Sequence, residues 1–169
     1  MYLRWFIFAP ISFLFNIFVM LTSPIWALWA AVFNLDSLPG PFAWVHTHDE
    51  TIYGNHVYGE KPKKVIDRFK RAVKWLCRNP GYTFDAKVLG FSGEDLKFLK
   101  TETKGTFDIG GNAYRYDVME AGGKKYFSYR RDIKIGKHRY IKLWFGWQYV
   151  TQAGWHIIKF EFNPFRTIK

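Results

Sequence analysis

Residues 5–33 read WFIFAPISFLFNIFVMLTSPIWALWAAVF, and no charged side chain stands between Arg4 and Asp36. A bilayer core about 30 Å thick is crossed by roughly 20 apolar residues in helical form, and Leu3 to Leu21 meets that length. The pattern predicts a membrane helix over this stretch, kinked at Pro10, followed by a second short helix from Ile25 to Phe33 that starts at Pro24. The residues expected to anchor the chain are Trp5, Phe6, Phe13, Leu14, Phe18, Trp26 and Trp29, the last two being of the type that favours the membrane–water interface. A secretory signal has a shorter apolar core, about 7–15 residues, and small residues at positions one and three before the cut. Here Leu28 or Trp29 would fill the outer of those positions. A buried core helix is seldom apolar all round over such a length. The reading is an uncleaved anchor.

The whole chain has 169 residues, a formal charge of +11 and a single cysteine, Cys77. That length leaves room for an anchor and one further domain. A lone cysteine excludes an internal disulfide framework. Aromatic residues make up 21% of the chain, which excludes a disordered polyelectrolyte. The residues flanking the apolar run give a thin topological signal: Arg4 precedes it, Asp36, Asp49 and Glu50 follow it, and the main basic cluster opens only at Lys61. The expected orientation has the C-terminal part facing the cytoplasm.

Three segments follow from composition: an anchor over 1–34, a connecting loop over 35–61 and a folded domain over 62–169. The loop is marked by Leu38-Pro39-Gly40-Pro41, Gly54, Gly59 and Pro62. After Pro62, which suits a first helical turn, apolar residues recur at Val65, Phe69, Ala72, Val73 and Leu76, and Asn79-Pro80-Gly81 is a stop. The other faces of this helix carry Lys63, Lys64, Arg68, Lys70, Arg71, Lys74 and Arg78 against Asp67. Such a helix suits anionic lipid headgroups, suits nucleic acid less well, and equally suits a sheet-covering helix with a solvated back.

Beyond Tyr82 the period becomes two. Tyr114, Tyr116 and Val118 alternate with Arg115 and Asp117; Phe127, Tyr129, Arg131 and Ile133, then Ile141, Leu143, Phe145 and Trp147, then Ile158, Phe160 and Phe162 repeat the pattern. Gly110-Gly111-Asn112, Gly122-Gly123 and Gly136-Lys137 supply hairpin turns. The expected fold class is α+β: an N-terminal membrane helix, then a basic amphipathic helix packed on an antiparallel β-meander of five or six strands.

Candidate chemistry is sparse. His46, His48, Asp49 and His56 are of metal-ligating type, but their spacing matches no strong zinc signature, and a Pro/Gly-rich loop collects such residues for its turns. His138 and His156 have no accompanying nucleophile elbow or phosphate loop. Cys77 reads as a packing residue, although Lys74 and Arg78 beside it could activate a thiol. Tyr140, Lys142 and Trp144 lie on one strand, either stacking bases or flooring a helix. No enzymatic activity, metal, cofactor or small-molecule substrate is expected.

Several blocks together resemble a known family: Leu38-Pro39 with Trp44, Thr47-His48-Asp49 and Gly54; Trp75-Leu76-Cys77-Arg78-Asn79-Pro80-Gly81-Tyr82-Thr83-Phe84-Asp85 with Val88-Leu89-Gly90; Leu143-Trp144-Phe145-Gly146-Trp147-Gln148; and Phe160-Glu161-Phe162-Asn163-Pro164-Phe165-Arg166. The chain resembles small proteins of tailed bacteriophages and prophages that have an apolar N-terminus and a domain of unknown function. The resemblance implies a phage product at a bacterial inner membrane, meeting a host or phage protein, and it brings no activity. His46 and His56 lie outside the blocks, and Gln148 stands where the family pattern has Lys. The expected role is structural or interactive, with a membrane-tethered nucleic-acid-binding module as the alternative.

Overall fold

A computed structural model describes residues 1–47, 50–107, 112–150 and 154–167. The fold class is α+β, with a long apolar N-terminal helix, shorter helices and an antiparallel sheet. The chain divides into two compact units, one formed by Met1–Ala9 with Gly90–Lys169 and the other by Pro10–Leu89.

The first difference from the sequence reading is at Pro24. Helix α1 runs unbroken over Tyr2–Val32 with Pro10 and Pro24 inside it. Proline lacks the N–H that would reach back four residues, here to the Met20 carbonyl. The Ser23 hydroxyl donates to that carbonyl instead, at 2.8 Å, so the helix continues. The helix closes on Asn34, whose φ of 56° is left-handed, with the Leu35 N–H returning to the Ala30 carbonyl at 2.9 Å.

In the unit Pro10–Leu89, a 3-10 helix spans Gly40–Val45, α2 spans Asn55–Tyr58, α3 spans Val65–Arg78 and α4 spans Tyr82–Lys87. The segment 35–61, read as a connection from its prolines and glycines, supplies much of this unit's interior. Leu38, Val45, Ile52 and Tyr53 are buried together with Val19, Ala27 and Ala30 of α1 and Ala72 and Leu76 of α3. Helix α3 starts three residues after Pro62 and turns its apolar stripe into this cluster, where the sequence reading had placed it on a sheet. Gly81, left-handed at φ 60°, joins α3 to α4, and a Cβ there would lie 2.3 Å from Asn16 Oδ1.

The other unit holds a six-stranded antiparallel sheet in the order β1-β6-β5-β4-β3-β2. The strands are β1 Phe91–Ser92, β2 Lys97–Lys104, β3 Ala113–Ala121, β4 Lys124–Ile135, β5 Arg139–Val150 and β6 Trp155–Thr167. Ala121 pairs with Lys124 around the Gly122-Gly123 turn, and Ile135 pairs with Arg139 around the turn that opens at Gly136. Gly110 and Gly111 lie outside the described residues. Strand β2 is an edge strand whose eight residues are all exposed, with an irregular register between Phe98 and Lys100.

The sheet buries its polar face more deeply than the alternation implied. Asp117, Ser128, Asp132 and Lys142 are buried, while Tyr114, Tyr116 and Leu143 are only half covered. The reason is pairing: Asp117 takes Arg115 Nε at 2.7 Å and Thr101 Oγ1 at 2.9 Å, Asp132 takes Arg130 Nη2 at 3.1 Å, and Lys142 meets Glu161 at 3.0 Å. Buried charges persist only when matched in this way. The opposite face receives the first turns of α1. The Trp5 ring stands 5.9 Å from both Phe127 and Phe145, its Nε1 donates to the Lys159 carbonyl at 3.0 Å, and Arg4 donates to the Tyr126 hydroxyl at 3.0 Å.

Two outcomes follow for the sheet unit. Gly146 has φ 98° and a Cβ there would sit 2.1 Å from the Phe127 carbonyl oxygen, so Gly146→Ala should destabilise the protein by roughly 3 kcal/mol or more in urea denaturation. His156 is fully buried with its ring stacked 4.3 Å from Phe91, and burial pushes its imidazole from 6.5 down to about 4. The unfolded chain then binds the proton more readily, so stability is complete above pH 6.5 and falls as pH drops to about 4. The loss should be on the order of 3 kcal/mol, and His156→Phe should flatten that part of the profile.

Candidate membrane-binding site

Helix α1 carries two stripes. Trp5, Ala9, Ser12, Val19, Ser23, Ala27, Ala30 and Ala31 are buried. Leu3, Ile7, Ile11, Leu14, Phe18, Leu21, Ile25, Leu28 and Val32 recur every three or four residues on the other side, and all are exposed. Leu14 keeps 66% and Leu21 77% of its surface open, more than a water-soluble helix leaves on so many aliphatic side chains. By length and composition the helix is sufficient to cross a membrane.

Of the residues expected to anchor, Phe6, Phe13, Leu14 and Phe18 are exposed. Trp5 is turned inward onto the sheet, as its bond to Lys159 requires. Trp26 and Trp29 are half covered, with rings 5.6 and 5.3 Å from Phe42, and Trp26 Nε1 donates to Thr22 Oγ1 at 2.7 Å.

Within the unit Pro10–Leu89, protein groups meet the inner stripe along its length. Asn16 Nδ2 donates to Asp85 Oδ2 at 3.0 Å, and the Phe15 ring stacks on Phe84 at 4.1 Å. Ser23 Oγ lies 3.4 Å from Cys77 Sγ, and the Tyr53 hydroxyl donates to the Ala30 carbonyl at 2.9 Å. Burial pushes the Tyr53 phenol up to about 12, so it is a donor at any ordinary pH. Cations complete the C-terminal end: Arg68 Nε donates to the Ala31 carbonyl at 3.1 Å and Lys61 Nζ to the Asn34 carbonyl at 2.8 Å. Positive charge at a helix C-terminus is favourable because the helix dipole is negative there.

The basic helix is therefore divided in its duties. Lys63, Lys64, Lys70, Lys74 and Arg78 are exposed. Arg68 and Arg71, expected to face lipid or nucleic acid, instead hold backbone carbonyls; Arg71 reaches Tyr53 at 3.0 Å, Glu60 at 2.6 Å and Gly59. Lys74 and Arg78 also stand over the rings of Tyr58 and Trp75.

The loop histidines take separate partners. His46 is buried, with Nε2 2.9 Å from the Ser37 hydroxyl and 3.3 Å from the Leu38 N–H. His56 pairs with Glu50. Partial burial would raise the Glu50 carboxyl, but the Thr51 and His56 N–H groups and the imidazole outweigh it and lower it to about 2. His48 and Asp49 lie outside the described residues, and among the described residues no group of three or more metal-ligating side chains forms. On the sheet, Tyr140 and Lys142 are buried and Trp144 Nε1 donates to Ser128 Oγ at 3.2 Å, so this strand face is an internal network.

A family model matches residues 1–169. The chain belongs to the family of unknown function DUF7338. No curated protein and no solved structure matches it. The DUF7338 match covers the apolar helix as well as the sheet.

Sequence reasoning passed over Asn16 and the capping part played by Arg68. A signal for Asn16 was present: it lies four residues after Ser12 and three before Val19, on the buried stripe. Asn16→Leu should destabilise the protein by about 1–3 kcal/mol in denaturant, because Asp85 loses a donor while buried.

Proposed function

We propose that this DUF7338 protein is a monotopic membrane protein whose α1 lies in the plane of one leaflet, and that the remainder serves as an interaction module at the cytoplasmic face of a bacterial inner membrane. The observation that carries the reading is the outer stripe from Leu3 to Val32, apolar and exposed along α1. In-plane helices of this kind bury their apolar side about 5–10 Å into the headgroup and acyl boundary.

Crossing the bilayer is the less favourable geometry. From Asn16 to Ala31, about 22 Å of helix at 1.5 Å per residue, the inner stripe is bound to Asp85, Cys77, Tyr53 and Arg68. A spanning α1 would carry those groups and their charged neighbours into the hydrocarbon, at about 2.5–3.5 kcal/mol for each charge even on the lenient insertion scale. The exposed lysines of α3 favour an anionic leaflet, and the single thiol suits a reducing compartment. The phage setting implied by the sequence blocks belongs to this reading, with a host or phage protein as the partner. Binding of nucleic acid ranks behind it, since Arg68, Arg71 and Arg130 are already held by carbonyls or carboxylates.

The test is a topology assay on carbonate-washed membranes of cells producing the full chain with a tag at each end. The expected outcome is protein in the pellet and both tags digested from the same side. A tag protected at one end only would establish a span and sink the in-plane reading. Leu14→Lys with Leu21→Lys should move the protein from the pellet to the soluble fraction, since in-plane binding scales with the apolar area buried.

A further inference from the structure

We propose that the groove between the second half of α1 and the start of α3 holds one acyl chain of an anionic phospholipid, an inference that rests on the in-plane reading and names its ligand. Pro24, Ile25, Leu28, Val65, Ile66 and Phe69 line an open cleft of about 520 Å³, a volume ordinary for a ligand site. All six lining side chains are apolar. Ile25, Leu28, Val65 and Ile66 remain 64%, 54%, 46% and 55% exposed, so the protein itself leaves them uncovered.

Two features select the occupant. The cleft continues the outer stripe of α1 through Ile25 and Leu28, the side that faces acyl chains in the in-plane arrangement. Its mouth is cationic: Lys63 and Lys64 directly precede Val65, Lys70 stands one turn beyond Ile66, and all three are exposed, against the one carboxylate of Asp67. Arg68 is directed to the Ala31 carbonyl and takes no part. A peptide in the cleft would need partners for its backbone N–H and C=O groups, which apolar walls do not offer. A nucleic acid has no saturated chain to fill it. A lipid with an anionic headgroup satisfies both halves, the chain in the cleft and the phosphate among the lysines.

The experiment is native mass spectrometry of the full-length protein in mild detergent, titrated with phosphatidylglycerol or phosphatidylcholine of identical chains. One phosphatidylglycerol should be retained per chain, with a preference over phosphatidylcholine on the order of tenfold. Ile66→Trp, which fills the cleft from an exposed position, should abolish retention. Lys63→Ser with Lys64→Ser should bring the two lipids close to parity. The proposal is overturned if no lipid is retained, if Ile66→Trp retains it as the parent does, or if glycerol phosphate alone displaces it. Membrane pelleting of the same proteins separates the two readings. A pelleting protein without retained lipid removes the cleft and leaves in-plane attachment, whereas retained lipid on a protein that does not pellet does the reverse.

Discussion

A helix with no charge between Arg4 and Asp36 can be joined to a protein rich in lysine and arginine only along a stripe of small and polar side chains. That constraint on α1 organises the unit Pro10–Leu89. Ala27, Ala30 and Ala31 are short enough for Tyr53 and the apolar side of α3 to approach the helix backbone, and Ser23 and Asn16 offer polar contacts at the two places where Cys77 and Asp85 arrive. The exposed aliphatic side chains, Leu3 to Val32, are on the other side, while Trp5, Phe15 and Val19 fill the wider gaps on the protein side. A helix built this way is two surfaces in one element, one selected for fit to protein and the other for its medium.

The sequence was informative wherever a single local rule applied. The apolar run, the stop at Asn79-Pro80, the two-residue turn at Gly122-Gly123 and the period-two runs that form β3 to β6 depend on neighbours within a few residues, and each has its counterpart in the fold, although Phe160 and Phe162 are exposed where the alternation had them covered. What was not legible depended on distant partners. Pro24 reads as a break until Ser23 is seen bonding to the Met20 carbonyl. The stretch 35–61 reads as a loop because its prolines and glycines are conspicuous, whereas Leu38, Ile52 and Tyr53 are too scattered to show a period. The alternation on β3 pointed to Tyr114, Tyr116 and Val118 as the deeper face, and the pairing of Asp117 with Arg115 and Thr101 lets the other face go deeper.

The formal charge of +11 is likewise a poor guide to surface potential. Arg68, Arg71 and Lys61 close helix ends and loops, and Arg130 and Lys142 neutralise carboxylates inside the sheet face. The cations left facing solvent at and just before α3 are Lys63, Lys64, Lys70, Lys74 and Arg78, and a second set stands on the sheet unit at Lys97, Lys100, Lys104, Lys134 and Lys137. Selectivity for an anionic partner is accordingly a matter of position on the protein.

The two borders of the sheet are unequal. One ends on β1, only two residues long, and the other on β2, eight residues that are exposed throughout and interrupted in register at Phe98/Lys100. Lys97, Lys100 and Lys104 stand along that second border. A strand from another molecule seeking to extend the sheet would find too little backbone on one side, and a kink with repeated positive charge on the other. Under the proposed membrane attachment, concentration in two dimensions brings copies edge to edge more often than free diffusion does. The irregular, lysine-bearing form of β2 disfavours strand addition in such encounters.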